Sequence, residues 1–531
     1  MVELVDALRQ QIVGRWTRVK TPFGTRLLTC ADVTAAGRYL HFIDAWVQKA
    51  RPWYASAGDA SSSCGRVLAE LHDRAHELVR RSLSAGPDHA VVLVGSEPGA
   101  PLDALIGLLG WRAREQPERP VVFLGPGEPE PSVRPWLDCN ADVVEIGIDA
   151  AGGLDLRALD ALLAQHADRR LRAGCFAAVA SATGTLCDVR GVARLLHRHG
   201  ALAFFDYSVA GPHLPIDLDA SSADERIDAL CLSMHRFPGG PEASGVIALR
   251  HALLASPPPE ARTSSLAGDL RTGAAFLARE MLGKDTLLQR ELRLARRLVA
   301  RLAQHPRIEV LGAERAPRLA IVAVKIEGLH PGFAAALLDD LFGIQSRPGS
   351  SNVPAHGDVL LGLDPATTAR LRRLVERGVE ALRPGWVHVG LPFYFNEEDV
   401  EFVISALEFV ARNGEAFVPL YRMSWRRGTW RHVEAAAMAA PGLELTPAAL
   451  EQATTQSFSS LPEPALPEHE LRAERKRYFD QARDLSVRLA ARWRAMPPAW
   501  NRPTGDPEID ALVTFRYALT EDDSPRTLER R

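Results

Sequence analysis

Residues 201–249 read ALAFFDYSVAGPHLPIDLDASSADERIDALCLSMHRFPGGPEASGVIAL. The stretch contains two apolar runs that are typical of strands, LAFF and ALCL, and each run ends in polar side chains. Asp206 closes the first run, while Ser233 and His235 follow the second. Because ligands bind beyond the carboxyl ends of strands in parallel α/β sheets, we expect these three side chains to face a ligand site.

Short apolar runs alternate with helical stretches from residue 90 onward. Such alternation is typical of a mostly parallel sheet that helices cover on both faces. The runs predicted as strands lie at residues 90–95, 121–124, 143–146, 176–180, 202–205, 229–232 and 246–249. A smaller pattern follows, with strands predicted at residues 320–326 and 386–390 and helices at 332–341, 371–382 and 397–413. The sequence therefore predicts an α/β fold, with a seven-stranded large-domain sheet and a smaller C-terminal α/β domain.

Changes in this pattern divide the chain into four predicted parts. They are an N-terminal helical segment that packs on the small domain (residues 1–80), the large domain (81–305), the small domain (306–430) and a C-terminal extension (431–531). One helical stretch is predicted to close the large domain, at residues 266–305. In the extension, proline clusters flank a charged amphipathic helix at residues 468–494, and the tail from residue 520 is predicted to be disordered.

The composition is that of a soluble globular protein, with 46% hydrophobic and 24% charged residues. A formal net charge of −3 gives no reason to expect nucleic acid or an anionic membrane as a partner. The six cysteines are scattered without metal-ligand spacing, which favours a reducing compartment. No apolar run approaches membrane length, and the first twenty residues mix charged and apolar side chains, so we predict a cytoplasmic protein.

The polar strand ends carry the motifs DYSVAGPHLPID and SMHRFPGGP. These motifs resemble the class V aminotransferase and cysteine desulfurase family, whose members are fold-type I enzymes that use pyridoxal phosphate. The resemblance covers roughly residues 25–430 and includes two further segments, ADVTAAGR at residues 31–38 and LLDDLFGIQSR at residues 337–347. It implies a fold-type I PLP-transferase-like large domain and a dimer, since the family builds its sites at a dimer interface.

The resemblance implies a role for two positions in the motifs. In the family, the aspartate pairs with the pyridine nitrogen of the cofactor, and a lysine after Ser-x-His forms the Schiff base. Asp206 matches the aspartate, but Arg236 occupies the lysine position. A guanidinium stays protonated and is a poor nucleophile, whereas a buried lysine loses its proton readily. The chain's lysines all lie outside the motif, at Lys20, Lys49, Lys284, Lys325 and Lys476. Drift in an arginine-rich sequence and a re-tooled site both explain Arg236.

The turn that would form the family's phosphate cup reads GSEPGAP at residues 95–101. Ser96 is retained as a cofactor-binding position, but Glu97 adds a negative charge and Pro98 lacks an N–H donor. An ordinary helix start with acidic and proline residues explains the turn equally well.

The remaining cofactor positions implied by the resemblance are altered or reduced. The loop at residues 125–136 contains no histidine, and Pro129 or Glu130 stands where the family places a ring-stacking histidine. Ser181 replaces the family's asparagine in ASATG. Ser208, Ser233 and His235 complete the vestigial cofactor-binding set.

Arg347 and Ser350 follow the segment that resembles the desulfurase substrate loop. Arg347 matches the arginine that holds a substrate carboxylate, although a surface arginine beside a Pro-Gly-Ser turn is an equal alternative. Ser350 stands near the position of the desulfurase cysteine, and a hydroxyl cannot carry a persulfide. The sequence therefore predicts loss of desulfurase chemistry, independently of Arg236.

These changes favour a catalytically degenerate homologue with no covalent cofactor and no intact catalytic residue. Such a protein acts as a structural or regulatory partner, in a homodimer or in a heterodimer with an active paralogue. Two alternatives stay open at this point, so whether the chain is an enzyme is undecided. One is an enzyme that binds pyridoxal phosphate or another ligand non-covalently in a remodelled pocket. The other is an ordinary enzyme of the family that borrows a lysine from elsewhere.

Overall fold

A computed structural model describes residues 2–54, 61–112, 118–128, 130–149, 152–219, 222–255, 265–312, 316–349, 354–435 and 465–521. Within these ranges, no helix is both long enough and apolar enough to cross a membrane.

The N-terminal segment combines helices with a β-hairpin. Its elements are α1 (Val2–Gln10), β1 (Arg18–Thr21), β2 (Gly24–Leu27), β3 (Thr29–Cys30), α2 (His41–Ala50) and α3 (Ser63–Ser82). The prediction of a mostly helical segment is wrong for the three strands. Thr21 pairs with Gly24 across a tight turn, and Gly24 has a φ of +109°, a conformation that glycine adopts without steric cost.

The large sheet contains seven strands, and four helices cover it. The strands are β4 (His89–Val94), β5 (Val121–Leu124), β6 (Asp142–Glu145), β7 (Arg172–Ala177), β8 (Leu202–Asp206), β9 (Ala229–Leu232) and β10 (Gly245–Arg250). The helices are α4 (Ala100–Leu108), α5 (Glu130–Asp138), α6 (Leu156–Gln165) and α7 (Val189–Arg198). The strand order is β4-β10-β9-β8-β7-β5-β6, and only β10 runs against its neighbours. The predicted fold class, α/β with a seven-stranded and mostly parallel sheet, is confirmed.

Adjacent side chains of β8 show how the sheet is buried on both faces. Phe204 belongs to one apolar cluster, together with Trp111 and Trp136. Phe205 belongs to the cluster on the other face, which includes Leu196 of α7. Successive strand residues point to opposite faces, so a continuous apolar run is what a doubly covered strand requires.

Two helices, α8 (Leu266–Leu282) and α9 (Lys284–Leu302), lead from the large sheet to the small one. The predicted single helical stretch is broken at Gly283, whose φ is +81°. The small-domain elements are β11 (Ile308–Val310), β12 (Ile321–Ile326), α10 (Pro331–Phe342), β13 (Ile344–Gln345), β14 (Arg347–Gly349), α11 (Pro354–Leu360), α12 (Pro365–Glu376), β15 (Trp386–Gly390) and α13 (Glu397–Asn413). The helix predicted at residues 371–382 begins earlier, because Asp364 caps α12 and Pro365 occupies its first turn.

The described part of the C-terminal extension packs on the small domain. A helix at Glu468–Ala495 buries Tyr478, whose hydroxyl accepts a hydrogen bond from the Leu27 N–H at 3.0 Å. The strand Leu519–Thr520 pairs in parallel with Tyr421–Met423, so the predicted disorder is wrong at residues 520 and 521. The rest of the predicted tail lies outside the described residues. The four-part division of the chain stays a prediction.

Candidate functional site

The polar ends of β8 and β9 are joined through Ser208. Asp206 is 3% exposed, and its Oδ1 accepts a hydrogen bond from the Ser208 N–H at 2.7 Å. The Ser208 hydroxyl oxygen accepts a bond from the Ser233 N–H at 2.8 Å. Three of the sequence-predicted site residues therefore meet at the carboxyl edge of the sheet.

His235 and Arg236 lie on a single 3₁₀ turn, Met234–Arg236, directly after β9. The N-terminal segment is hydrogen-bonded to this turn, since the Gly37 N–H donates to the His235 carbonyl at 2.8 Å. A Cβ at Gly37 would lie 2.2 Å from the Phe237 carbonyl oxygen. Only glycine allows the two backbones to approach this closely.

The guanidinium of Arg236 brings a positive charge into the site, and two of its nitrogen atoms have no hydrogen-bond partner. Its Nε and Nη1 atoms are out of solvent and unpaired, while the side chain as a whole is half-buried. Burial lowers the pKa of the Arg236 guanidinium, and the nearby carboxylate of Asp206 opposes that shift. Because guanidinium ions stay protonated in proteins, Arg236 remains a cation that faces Asp206.

The two histidines beside Arg236 are neutral. Burial, followed by the charge of Arg236, lowers the pKa of His235 to about 4. Burial, with Arg347 and Arg236, lowers the pKa of His388 to about 3. The His388 Nε2 atom lies 2.8 Å from the hydroxyl of Thr34. At neutral pH each imidazole is therefore a hydrogen-bonding group without charge.

Glu128 and Ser132 belong to the site although the sequence analysis did not select them. Ser132 of α5 donates a hydrogen bond from its hydroxyl to Asp206, and Glu128 accepts one from the Ala177 N–H at the end of β7. The other Glu128 oxygen, Oε2, is buried and unpaired. Burial, reinforced by the charge of Asp206, raises the pKa of Glu128 well above the ordinary value.

The signal for Glu128 was its place in the sequence, four residues after the end of β5. The sequence analysis placed Pro129 or Glu130 at the histidine position and found no use for this proline-rich loop. The structure instead directs Glu128 inward, because the backbone carbonyl of Gly127 is bound by the Ser181 N–H at 3.1 Å. Ser181 thus borders the site, through its backbone.

A second group of side chains connects the N-terminal segment to the small domain. The Nε atom of Arg347 lies 2.8 Å from Oδ2 of Asp32, and Thr34 donates to Oδ1 of Asp32 at 3.1 Å. Burial raises the pKa of Asp32, and Arg347 opposes the shift. The Nε edge of the Arg347 guanidinium is therefore already paired with Asp32. Substrate binding by Arg347 stays a prediction, and Ser350 lies outside the described residues.

The turn that resembles a phosphate cup is open and acidic. Ser96 and Glu97 are both exposed. A Cβ at Gly95 would lie 2.5 Å from Oε2 of Glu97, so this carboxylate folds over the turn. Gly99 precedes α4 without a side-chain cap, and Pro101 lies in the first turn of the helix.

Burial disfavours the thiolate at Cys30, Cys175 and Cys187. Burial raises the pKa of Cys30, the cysteine that pairs with Gln345 beside β14. Burial also raises the pKa of Cys187 to about 12 and that of Cys175 further above the ordinary value. A nucleophilic or sulfur-transferring cysteine needs the thiolate, which these surroundings disfavour.

The large sheet is mostly parallel, is covered by helices on both faces and has its candidate site at the strand ends. This architecture is that of the fold-type I α/β class. Residues 39–268 match the model of the family described as Aminotransferase class-V. A probable cysteine desulfurase from Streptomyces coelicolor is 26% identical over 322 residues, which are 53% of this chain and 74% of that protein.

Two solved structures share the fold. A NifS-like protein from Rickettsia africae superposes with a TM-score of 0.59 at 15% identity, over 72% of this chain and 99% of its own. A cysteine desulfurase from Thermococcus onnurineus gives a TM-score of 0.59 at 17% identity, over 72% and 95% of the two chains. Over residues 39–268 the chain is therefore similar to the class V aminotransferase family, and its relatives include cysteine desulfurases.

The residues of this site do not fit the cofactor that the family typically binds. A covalent link needs an amine, and the four lysine side chains described by the structure are exposed on other elements, at Lys20, Lys49, Lys325 and Lys476. A phosphate would meet the Glu97 carboxylate rather than a row of N–H groups. Asp206 already faces a cation of the chain itself, Arg236.

Proposed function

We propose that this protein is a catalytically degenerate member of the class V family that acts in the cytoplasm as a structural or regulatory partner. The observation that carries the proposal is Arg236, a cation at the Schiff-base position whose charge faces Asp206. In the family, that aspartate pairs with the pyridine nitrogen of the cofactor. In this chain the guanidinium of Arg236 supplies the positive charge, so the Asp206 carboxylate has a cationic neighbour without a cofactor.

The altered positions support the proposal independently of one another. Glu97 and Pro98 lie at the phosphate turn, Glu128 lies in the histidine loop, and burial raises the pKa of the Cys30 thiol. One retuned residue would explain a change of substrate. Losses at several positions of one site are expected when selection for the cofactor chemistry is absent.

The partner role is supported by apolar side chains left on the surface. Phe42 and Trp46 are one turn apart on α2, and Leu277 and Met281 are one turn apart on α8. All four are exposed, and the two helices are joined by an ion pair between Arg271 and Asp44 at 2.6 Å. Exposed apolar faces of this kind mark association surfaces. We infer that a second subunit, either a copy of this chain or a lysine-bearing paralogue, covers them.

The test is covalent trapping. Purified protein is incubated with pyridoxal phosphate, reduced with borohydride and mapped by mass spectrometry. We expect only low-level labelling spread over exposed lysines such as Lys476. A stoichiometric adduct at one lysine would contradict the proposal and would favour an ordinary enzyme with a borrowed amine.

A second candidate function is non-covalent ligand binding in the remodelled pocket. The unpaired Nε and Nη1 atoms of Arg236 favour it, because buried donors without acceptors cost free energy that an anionic ligand would recover. Calorimetric titration with pyridoxal phosphate and with acetate distinguishes the two functions. Saturable binding that Arg236→Gln abolishes would favour the ligand-binding function, whereas the degenerate partner is expected to bind neither.

A further inference from the structure

A small cavity, partly open to solvent, lies where the N-terminal segment, α13 and the C-terminal helix Glu468–Ala495 meet. Its volume is about 30 Å³, and its lining includes Arg15, Trp16, Arg38, Asp399 and Arg475. A space of this size holds one or two water molecules or a single ion of halide size. Asp206, Ser208, Ser233, His235 and Arg236 of the strand-end site are not among its lining residues.

Positive charge outweighs negative charge around the cavity. Asp399 is the buried acid, and its oxygens accept bonds from Arg475 at 2.8 Å and from Arg15 at 3.4 Å. Arg9, also buried, lies 3.9 Å from the same carboxylate. The other acids near Arg9 are Asp6 and Glu468, whose side chains are 46% and 66% exposed and therefore compensate weakly. Three buried guanidinium groups thus share one buried carboxylate.

Three N–H donors of residues that line the cavity lack acceptors. Nε of Arg15, Nε1 of Trp16 and Nη1 of Arg475 are all buried without a hydrogen-bond partner. Arg475 as a whole is only 9% exposed, so solvent does not satisfy it. Leaving several N–H donors of cationic groups unpaired is costly, and the cost is removed only by an acceptor placed among them.

We propose that this cavity binds a small inorganic monoanion of the chloride class. A halide accepts several N–H bonds at once and also offsets the excess positive charge, which a water molecule does not. The small size of the cavity favours a halide over sulfate or a ligand carboxylate. The bound ion connects the first sixteen residues and the C-terminal helix to the start of α13, so it stabilises the docking of both chain ends.

The first experiment locates the ion directly. Crystals of the full chain, grown without halide and soaked in sodium bromide, are expected to show an anomalous bromine peak inside the cavity. Absence of that peak, with ordinary water density in its place, would overturn the proposal.

The second experiment measures affinity in solution. Melting temperature is followed while sodium chloride replaces sodium gluconate at constant ionic strength, and we expect a saturable rise. Trp16→Phe removes one donor and leaves the ion pairs of Asp399 intact, so the chloride midpoint should increase by about three- to tenfold.

Trp493→Phe is the matched control, because its indole N–H donates to the Ala416 carbonyl at 2.8 Å, away from the cavity. This variant is expected to melt at a lower temperature with an unchanged chloride midpoint. Equal chloride midpoints for Trp16→Phe and the wild type, or identical melting in chloride and gluconate, would show that the cavity holds water.

Discussion

At the residue scale, Arg236 is a permanent cation at the position where the family has a lysine, whose amine can lose its proton. Arginine is not a conservative replacement for lysine here, because a guanidinium neither loses its proton nor attacks a carbonyl. The Asp206 carboxylate is close enough to influence the pKa of this guanidinium. Under the proposed function, Arg236 lacks the nucleophilic chemistry of a lysine but keeps a positive charge in the site.

We expect Arg236→Lys alone to restore Schiff-base formation only inefficiently, because the Glu97 carboxylate and Pro98 still disfavour a phosphate. Adding Glu97→Gly and Pro98→Ala should tighten pyridoxal phosphate binding relative to the single variant. The measurement is a cofactor titration, followed by Schiff-base absorbance, on the wild type, the single variant and the triple variant. Tight binding by the single variant would instead indicate an otherwise intact, recently silenced enzyme.

Glu128 gives a prediction about pH. Because its pKa is raised in the folded protein, the folded chain keeps a proton that the unfolded chain releases above the ordinary glutamic acid value. Stability is thus fully present below that value and is lost as pH rises, by up to about 1.4 kcal/mol per pH unit, until the folded group ionises. Glu128→Gln cannot ionise and keeps an acceptor for the Ala177 N–H. Its melting temperature should increasingly exceed that of the wild type as the pH rises from about 5 to about 8.

The control for this prediction is Glu145→Gln, an exposed glutamate at the end of the neighbouring strand β6. We expect its difference from the wild type to stay constant across the same pH range. A constant difference for Glu128→Gln as well would show that Glu128 is ionised in the folded protein.

At the element scale, the 3₁₀ turn that carries His235 and Arg236 is held by contacts of backbone with backbone. Gly37→Ala should destabilise the protein strongly and disturb the site, because the new Cβ would meet the Phe237 carbonyl, which cannot move aside as a flexible side chain would. Gly107→Ala is the matched variant, since Gly107 is exposed in α4 with no atom within 4 Å of its added Cβ.

We expect Gly107→Ala to stabilise the protein by about 0.5–1 kcal/mol through helix propensity and reduced unfolded-state entropy. Thermal melting of the two variants checks the pair. Similar melting temperatures for Gly37→Ala and the wild type would mean that the N-terminal segment does not hold the turn.

At the scale of the whole molecule, we expect the chain to sediment as a dimer, homo- or heteromeric. Trp46→Asp should shift it toward monomer, because a charge on the exposed face of α2 cannot be desolvated cheaply at an interface. Val487→Asp is the control. It introduces the same charge at another exposed apolar side chain, Val487, which is 67% exposed and lies on the C-terminal helix rather than on α2. A monomeric wild type across the working concentration range would remove the support for a partner role.

The sequence by itself determined the fold class and the positions of six of the seven large-sheet strands, because buried strands need continuous apolar runs. The strand predicted at residues 176–180 was wrong in position, since β7 spans Arg172–Ala177 and begins with a polar side chain. It also selected Asp206, Ser233, His235 and Arg236 as candidates, since strand ends in such a sheet are local signals that converge in space. The structure places all four at that edge of the sheet, and their role stays a prediction.

Only the tertiary structure decided which other groups complete the site. The position of Glu128 four residues after β5 does not reveal that its side chain turns inward, and its raised pKa depends on burial beside Asp206. The N-terminal hairpin was not predicted within the mostly helical segment, because short polar strands lack the alternation that reveals half-buried ones. The arginines around Asp399 come from positions as far apart as Arg9 and Arg475, and the charge they share exists only because folding takes them out of water together.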